Sequence, residues 1–502
     1  MLVMKFGGTS VGSGERILRV AEIVLAELAR DPVVVTSAMS GVTDALLAIA
    51  DAAARGDKED CETRFAALEK RHLEACNEID PDDTWQLLHE RLLDLHETIR
   101  YYCDTAEGSA AHRDDIAAFG EKLAVLLVAH AIDRKNGKGY GWDWPIIDTD
   151  DHFGEATPLI TGTKKLAQFA LDSAVDAQCL LVVPGFIGQA TEATDYDKGE
   201  FLHPYIPTTT LGRGGSDYSA TLIAAALGAD ACWIYTDVDG VFTADPRIVP
   251  AAQVLPVVTF ATAGRLAMCG AKVLHPRSVA PAARYGFELR VRNTFHPERE
   301  GTLLVAAAEE TQGMPLAVAG RRKLAAIALQ GSGLPEIPNL FGRMCQAVTG
   351  AGTEIVLAAH PVPGHDPQVI IDESAVAAVE ARLAQEFAKE QGQGQISAIS
   401  HRVGLALCTV VGDDLTAQCI AQTQRALASE KIAPLSQSAS PEALTFIIEA
   451  RLLDRAIRRL HKDVIEPALR EVAARRLRPY AAGQWAAGGR PEQRRRHTPD
   501  QH

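Results

Sequence analysis

Lys5-Phe6-Gly7-Gly8-Thr9-Ser10-Val11 directly follows a short apolar run, Leu2 to Met4, and is the most informative stretch of the sequence. The apolar run predicts a buried first β-strand, and the glycine pair lets backbone N–H groups approach an anion without an intervening Cβ. The lysine adds a positive charge for the same anion. The stretch therefore predicts a phosphate-binding loop at the carboxyl end of the first strand; an ordinary loop is the alternative.

The composition is that of a globular protein with several domains. The chain has 502 residues, of which 47% are hydrophobic and 23% charged, and this length predicts about two to four domains. The formal net charge of −15 argues against a nucleic-acid partner and against an anionic membrane surface. It leaves room for anionic small substrates, provided that their site is locally basic.

The cysteines and the N-terminus favour a cytoplasmic protein. Nine cysteines are scattered without a CxxC pair, which indicates free thiols in a reducing compartment rather than a disulfide framework or a zinc site. The sequence shows no signal peptide and no apolar run of about 18 residues. We therefore expect neither secretion nor a membrane span.

Residues 1–300 alternate β-branched runs with helical patterns, which is typical of an α/β sheet. Buried strands are predicted at 33–36, 180–183 and 232–235, each followed by a Gly-, Ser- or Asp-containing loop, where open α/β sheets bind ligands. Residues 57–105 show a purely helical pattern and predict an αα-hairpin. Its core stripe is Trp85, Leu88, Leu92, Leu95 and Ile99.

From about residue 316 to 470 the sequence predicts two similar small modules, each with the order βαββα, completed by a further strand. The first has strands at 324–329, 354–358 and 368–371 with helices at 338–350 and 376–387; the second has strands at 405–411, 432–437 and 443–448 with helices at 415–429 and from 451. This order is the ferredoxin-like layout. The remaining residues, 474–502, are rich in arginine and glycine. They predict a disordered, solvated tail rather than a nucleic-acid-binding segment.

A second glycine-rich stretch runs from Thr208 to Ala220 and contains Arg213 between two glycines. The planar guanidinium of an arginine suits a bidentate grip on a carboxylate or phosphate. Ser216 and Asp217 lead into an apolar helix and are also candidates for its N-cap.

Four further stretches carry candidate site residues. Residues 235–247 combine a strand end, an Asp-Gly turn and Pro246-Arg247, which fits a nucleotide pocket at the carboxyl edge of a sheet. Residues 270–277 contain Lys272 and His275, and the histidine is expected to be a structural hydrogen-bonding residue rather than a base.

Residues 37–43 follow the second strand. Phe119-Gly120-Glu121 precedes an apolar helical run, and a surface glutamate favoured by the helix dipole is the alternative for Glu121.

Taken together, these stretches resemble the aspartokinases of the amino-acid kinase superfamily, and the two C-terminal modules resemble the paired ACT domains of that family. The resemblance implies an α/β amino-acid-kinase-type sandwich with a mostly parallel central sheet, followed by two ferredoxin-like α+β modules. The implied domains are a catalytic domain (1–305), a first ACT-like module (316–395), a second ACT-like module (396–470) and the basic tail (474–502).

The resemblance also implies roles for individual residues. The implied catalytic residues are Lys5, Asp217 and Lys272. The implied aspartate-binding residues are Thr43, Glu121, Arg213, Gly214, Gly215 and Ser216. The implied ATP-binding residues are Lys5, Phe6, Gly7, Gly8, Thr236, Asp237, Phe242, Arg247 and Lys272. Asp217 is expected either to hold a lysine in place or to lie near the metal, and Phe242 stands where many family members have tyrosine.

The implied activity is transfer of the γ-phosphate of ATP, with Mg²⁺, to the side-chain carboxylate of L-aspartate, the first step toward lysine, threonine and methionine. That carboxylate is already ionised at pH 7, so positioning and charge neutralisation suffice, with no general base. The ACT-like modules imply a homodimer or larger oligomer and a possible amino-acid effector. The stretches 333–338 and 360–364 depart from the expected effector-binding segments, so weak or unconventional inhibition by lysine or threonine is expected. The segment 191–207 looks like an insertion and a possible lid.

Three other functions are compatible with parts of the sequence. Another amino-acid kinase, acting on glutamate or acetylglutamate, would share the fold without needing both glycine-rich stretches and two ACT-like modules. A non-catalytic amino-acid sensor would not need Lys5 and Lys272. A bifunctional kinase–homoserine dehydrogenase is not expected, because the residues after 474 are too few for a dinucleotide-binding domain.

Overall fold

The structure is a computed structural model. It describes residues 1–81, 86–106, 108–135, 137–150, 153, 156–190, 194–195, 200–201, 208–212, 214–271, 274–359 and 366–481.

The N-terminal unit combines strands and helices, as the sequence predicts, but not in strict alternation, since four successive helices lie between residues 42 and 134. The strands are β1 (Leu2–Phe6), β2 (Pro32–Thr36), β3 (Gly139–Gly141), β4 (Ile147–Thr149), β5 (Leu180–Pro184), β6 (Ile187–Ala190), β7 (Thr194–Asp195), β8 (Glu200–Phe201), β9 (Thr208–Thr210), β10 (Ala231–Thr236), β11 (Val257–Thr259), β12 (Glu288–Asn293) and β13 (Thr302–Val305). The helices are α1 (Gly14–Ala26), α2 (Val42–Ala54), α3 (Lys58–Ile79), α4 (Gln86–Thr105), α5 (Ala110–Arg134), α6 (Ile160–Asp176), α7 (Gly215–Leu227), α8 (Phe260–Met268) and α9 (Pro276–Tyr285).

An eight-stranded sheet with the order β11-β13-β12-β10-β1-β2-β5-β3 forms the centre of this unit. The pairs β12–β10, β10–β1, β1–β2, β2–β5 and β5–β3 are all parallel, whereas β12 and β13 are antiparallel. The mostly parallel central sheet predicted from the sequence is therefore confirmed. A smaller sheet, β4-β6-β9, and the pair β7-β8 lie beside it.

Side-chain alternation along β1 separates two hydrophobic layers. Leu2, Met4 and Phe6 belong to the core under helices α1 to α5, whereas Val3 belongs to the core on the opposite face, with α6, α7 and α9. Because successive side chains of a strand point to opposite faces, Lys5 shares the face of Val3. The strand thus directs its lysine toward α7.

The predicted αα-hairpin is present as α3 and α4. Its stripe of Leu88, Leu92, Leu95 and Ile99 is at most 1% exposed; Trp85, also predicted there, lies outside the described residues. Three- and four-residue steps place these side chains on one helical face. That face packs into the core shared with α2 and α5.

The C-terminal unit has a six-stranded antiparallel sheet with the order β15-β16-β14-β17-β19-β18. Its strands are β14 (Met314–Gln330), β15 (Leu357–Ala359), β16 (Gln368–Asp372), β17 (Ala398–Asp413), β18 (Ser436–Ser440) and β19 (Ala443–Glu449). Its helices are α10 (Leu340–Thr349), α11 (Val376–Glu386), α12 (Ala388–Gly392), α13 (Ala417–Ser429), α14 (Leu453–Leu460), a π-helical turn (His461–Ile465) and α15 (Glu466–Ala481).

The two modules share strands β14 and β17, which are longer than the sequence predicts. The second half of β14 pairs with β16 and with the first half of β17, whereas the first half of β14 pairs with the second half of β17, which in turn pairs with β19. Each half of the sheet packs on its own hydrophobic cluster. The division at residues 395 and 396 remains a prediction, but the shared strands show that each module borrows part of a strand from the other.

Helix α15 continues to Ala481, past residue 474, where the sequence predicts the disordered tail to begin. Residues 482–502 lie outside the described part of the chain. Among the described residues, every helix is too short or too polar to cross a bilayer.

Leu92 and Leu93 are adjacent on α4 but differ in burial, with exposures of 1% and 61%. We expect Leu92→Ala to lower the free energy of unfolding by about 2–5 kcal/mol, because it leaves a cavity in the core. Leu93→Ala, the matched control, should change it by about 0.5 kcal/mol or less. Urea titrations followed by circular dichroism measure both, and equal losses would contradict the assigned helical face.

Candidate active site

The carboxyl ends of the parallel strands bring five loops to one edge of the main sheet. Strands β1, β2, β5, β10 and β12 are neighbours in this sheet. They end at Phe6, Thr36, Pro184, Thr236 and Asn293. Open parallel sheets bind ligands at this edge. Five of the site residues expected from the sequence lie in the loops that follow β1 and β10: Gly7, Gly8, Asp237, Phe242 and Arg247.

Lys5 and Asp217 form an ion pair at this edge. Lys5 Nζ contacts Asp217 Oδ1, and the two side chains are 9% and 16% exposed. Since β1 directs Lys5 toward α7 and Asp217 lies in the first turn of α7, the pairing follows from the parity of the strand. This contact agrees with the expectation that Asp217 holds a lysine in place. The other expectation, a position near the metal, remains a prediction.

The Gly7–Gly8 loop turns tightly beside this lysine. Gly7 O accepts hydrogen bonds from Ser10 N and Val11 N, at 2.8 and 3.3 Å, and Ser40 N donates to Gly8 O at 3.0 Å. A Cβ on Gly8 would lie 2.8 Å from Ala38 O, so only glycine fits there. Within the part of the chain that the structure describes, the N–H groups of Gly8 and Thr9 have no hydrogen-bond partner. Such free donors next to a lysine can bind an anion.

The N-terminus of α7 differs from its predicted form. Gly214, with φ of 70°, is the N-cap residue, and no side chain caps the helix. The expectation that Ser216 or Asp217 caps α7 is therefore wrong, because the left-handed glycine places both residues inside the first turn. Ser216 instead packs on Gly185, where a Cβ would lie 2.8 Å from Ser216 Cβ. The positive end of the helix dipole at this turn favours negative charge nearby, including that of Asp217.

Glu121 is buried in the middle of α5, not at a helix start. Helix α5 begins at Ala110, so both the predicted position and the alternative of a surface glutamate at a helix N-terminus are wrong. Glu121 is 2% exposed and its Oε1 accepts a hydrogen bond from Ala38 N at 3.1 Å. Within the described residues Oε2 has no hydrogen-bond partner. Burial raises the pKa of Glu121 to about 8, partly opposed by the Ala38 N–H and the positive charge of Lys5.

The loop after β2 lines the same side. Ser37 N donates to Phe6 O at 3.1 Å, and Gly41, with φ of 79°, is the N-cap residue of α2. Thr43 is half-buried in the first turn of that helix. The loop therefore links the β1 loop, through Ser40, with Glu121, through Ala38.

The residues expected to bind the nucleotide differ in how accessible their side chains are. Thr236 ends β10, and its hydroxyl donates to Asp237 Oδ1 at 3.2 Å. Phe242 is half-buried and forms a β-bridge with Val254. In contrast, the Phe6 side chain is fully buried and stacks on Tyr235, with ring centroids 4.8 Å apart. Only its backbone is available to a ligand.

Arg247 points to solvent. Its side chain is 80% exposed, and the guanidinium pairs with Asp245 at 2.7 Å. The phosphate contact expected for Arg247 remains a prediction, and it would require the guanidinium to leave or share this carboxylate.

Arg213 and Lys272, two of the expected site residues, lie outside the described residues. Their described neighbours are in contact with each other. A Cβ on Gly214 would lie 2.4 Å from His275 Cβ, so the two segments meet at this point. The Nδ1 atom of His275 accepts a hydrogen bond from Arg277 N at 3.4 Å, and the residue is the N-cap of α9. These contacts agree with the structural role expected for His275.

Several contributors to the site were not anticipated. Ala38 N holds Glu121, Gly185 seats Ser216, and the Ser10 hydroxyl lies 2.6 Å from that of Thr294, directly after β12. Their position in the sequence could have indicated a role in the site, because Ala38, Gly185 and Thr294 each lie within two residues of the carboxyl end of a strand.

Comparison with known proteins identifies the family. The sequence pattern of the amino acid kinase family matches residues 1–293, more than half of the chain. The chain belongs to the amino acid kinase family. This confirms the family expected from the Lys5 and Thr208–Ala220 stretches.

Within this family, the chain is similar to several aspartokinases. Lysine-sensitive aspartokinase 3 of Escherichia coli is 29% identical over 93% of this chain and 99% of its own length. The crystal structure of aspartokinase III from E. coli in complex with aspartate and ADP has a TM-score of 0.74 with 26% identity, covering 92% of this chain and 99% of that one. Bifunctional aspartokinase/homoserine dehydrogenase 2 of Arabidopsis thaliana is 28% identical, and this chain spans 50% of its length. The chain thus spans about half the length of the bifunctional relatives that it matches.

Burial of Glu121 makes the stability of this unit depend on pH. Its pKa rises from 4.5 to about 8 in the folded chain, so between these values the unfolded state loses a proton that the folded state keeps. Stability should therefore fall as pH rises through this window, by up to about 1.4 kcal/mol per unit. Glu121→Gln should flatten the dependence of Tm between pH 5 and 8. The exposed Glu97→Gln is the matched control, and an unchanged slope in Glu121→Gln would contradict the burial effect.

Proposed function

We propose that the protein is an aspartate kinase, which transfers the γ-phosphate of ATP to the side-chain carboxylate of L-aspartate to give 4-phospho-L-aspartate. The observation that carries this proposal is the Lys5–Asp217 pair beside the Gly7–Gly8 loop, with the buried carboxyl of Glu121 close enough for Lys5 to influence its pKa. An anion-binding loop and a site for an ammonium group would then lie side by side, in a member of the amino acid kinase family.

The phosphate side of the reaction is assigned to the β1 loop. The free N–H groups of Gly8 and Thr9 and the amino group of Lys5 hold the β- and γ-phosphates. Asp217 keeps the lysine extended along its face of the sheet. Charge builds up on the phosphoryl oxygens in the loose transition state of such transfers, so fixed positive groups lower the barrier. We assign the same function to Lys272, and nucleotide contacts to Thr236, Asp237, Phe242 and Arg247.

The acceptor side is assigned to Glu121 and the loop after β2. A substrate ammonium beside Oε2 of Glu121 would provide the partner that this buried atom lacks among the described residues. It would also lower the pKa of the carboxyl by charge pairing. Thr43 and the first turn of α7, Gly214 to Ser216, line this side, and Arg213 is assigned to a substrate carboxylate.

The reaction needs no enzyme nucleophile. The acceptor carboxylate oxygen attacks the γ-phosphorus, a new O–P bond forms, and the bond to the bridging oxygen of ADP breaks. The carboxylate is already ionised, so no proton has to be removed. The protein then acts by holding the acceptor in line with the leaving ADP.

The donor set fits a magnesium ion carried by the nucleotide. Mg²⁺ usually keeps several waters and is bound through phosphates and one or two carboxylates. Asp217 supplies one partly exposed carboxylate, and no cluster of three or more ligating side chains occurs among the described residues. Bound there with ATP, the ion would neutralise phosphate charge.

We also propose a homodimer or larger oligomer formed through the C-terminal unit, and a cytoplasmic location, since all nine cysteines are free thiols. The first effector-segment departure, 333–338, contains a short 3-10 helix, Leu334–Glu336, and the second, 360–364, lies outside the described residues, as does most of the possible lid at 191–207. Light scattering tests the oligomer, which a monomer would contradict. Inhibition by lysine or threonine at sub-millimolar concentration would contradict weak effector binding.

An acceptor panel with ATP and hydroxylamine tests the reaction itself, because acyl phosphates are trapped as hydroxamates. We expect hydroxamate with L-aspartate and none with L-glutamate or N-acetyl-L-glutamate. Product from glutamate or its acetyl derivative alone would assign a different amino acid kinase, and no product from any acceptor would favour a non-catalytic amino-acid sensor.

Lys5→Met keeps most of the length of the side chain but removes its charge. We expect kcat to fall by about 10²–10³, because one preorganised electrostatic contact in the transition state is lost. Lys70→Met, at a lysine whose side chain is 76% exposed, is the matched control and should keep full activity. Both variants should keep the wild-type circular dichroism spectrum, and near-normal kcat in folded Lys5→Met would remove Lys5 from the site.

A further inference from the structure

Thr243 connects the proposed nucleotide loop with the C-terminal unit. It lies between β10 and β11, directly after Phe242, and is fully buried. Its N–H donates to Gln253 O at 2.9 Å, and Gln253 N donates to its hydroxyl at 3.0 Å. Val318 N, in β14, donates to Thr243 O at 2.8 Å. These three hydrogen bonds fix both the backbone and the side chain of Thr243.

The Thr243 hydroxyl meets a buried histidine of the second module. His461 Nε2 lies 2.9 Å from Thr243 Oγ1, and His461 is 1% exposed. The other ring nitrogen, Nδ1, lies 3.4 Å from Glu466 Oε1. A carboxylate beside Nδ1 favours the tautomer with its proton there, so Nε2 accepts a hydrogen bond from the Thr243 hydroxyl. Burial lowers the pKa of His461, which favours this neutral ring.

The loop is also packed into the hydrophobic core of that module. Ala244 and Val249 belong to the same cluster as Leu427, Phe446 and Ile457 of the second module. The nucleotide loop is therefore held on one side by regulatory residues. Phe242, the residue directly before Thr243, is only half-buried, so part of its side chain is open to a ligand.

His461 is the first residue of a π-helical turn, His461–Ile465, between α14 and α15. Such turns are rare and are frequent at functional sites. The extra residue in the turn shifts the helical phase where the histidine meets the loop. A displacement of α14 would therefore be transmitted to Thr243 through His461.

We propose that His461 is a positioning residue for the nucleotide: through Thr243 it holds the loop that presents Phe242 to ATP. The inference rests on the proposed function and adds a regulatory-unit residue on which affinity for ATP depends. His461 acts through another residue and is not a catalytic residue.

The experiment compares His461→Leu with wild type as the full-length chain. We expect Kd for ADP, measured by calorimetry, and KM for ATP to rise about tenfold, the size of effect that one buried hydrogen bond carries. KM for aspartate and kcat should stay within about twofold, because no described residue assigned to the acceptor side is hydrogen-bonded to this loop. His461→Gln can place an amide oxygen near the position of Nε2 and should restore Kd for ADP to within about threefold of wild type.

Two further variants distinguish positioning from general loosening. Thr243→Val removes the contact with His461 and also the hydrogen bond from Gln253 N, so it should raise Kd for ADP at least as much as His461→Leu. The double variant should be no worse than Thr243→Val alone, since the contact with His461 is already lost in that variant. Thr423→Val is the matched control, because Thr423 is fully buried in the same module and its hydroxyl bonds only within α13, to Cys419 O. It should leave Kd for ADP unchanged.

The outcomes separate the two proposals. Wild type that binds no ADP would overturn the proposed function. Wild type that binds ADP, with His461→Leu or Thr243→Val binding equally well, would overturn the positioning role, and so would an equal loss in Thr423→Val. If His461→Leu does not fold, Thr243→Val carries the same test.

Discussion

The buried ion pair between Lys5 and Asp217 is the interaction on which the site depends. A lysine amino group in a partly desolvated position is costly unless a carboxylate compensates its charge, and α7 supplies that carboxylate from its first turn. The pair requires β1 to place Lys5 on the α7 face and Gly214 to begin the helix without a side-chain cap. The ion pair at the carboxyl edge of the sheet thus depends on the direction of the Lys5 side chain from β1 and on the residue at which α7 begins.

Around this pair, the two halves of the site are electrostatically connected. Lys5 lowers the pKa of Glu121, which burial otherwise raises, and Glu121 is held by Ala38 N in the loop after β2. In the proposed reaction, phosphates beside Lys5 would therefore weaken the influence of its positive charge on Glu121. In that reaction, an ammonium group beside Glu121 would pair with its carboxylate, and phosphates beside Lys5 would pair with its amino group.

The C-terminal unit packs against the N-terminal unit through the loop after β10. Strands β14 and β17 run through both modules, and the loop after β10 enters the second module's core through Ala244 and Val249. A change at either module can reach the nucleotide loop through packed side chains. Such coupling needs two arrangements of a rigid element, and the π-helical turn at His461 lies where α14 meets the loop.

The assignment of Glu121 to the site came from the resemblance to a known family. The sequence by itself determined the local elements and part of the chemistry: the α/β pattern of strands and helices, the αα-hairpin stripe, and the glycine loop with its lysine. These follow from periodicity and residue type, which act over a few neighbours. Only the tertiary structure decided what distant segments do to one another. It made Asp217 the partner of Lys5 rather than a helix cap, buried Glu121 in mid-helix, lengthened β14 and β17 across two modules and joined Thr243 to His461. Such contacts depend on how elements pack, and a local pattern carries no information about a partner some two hundred residues away.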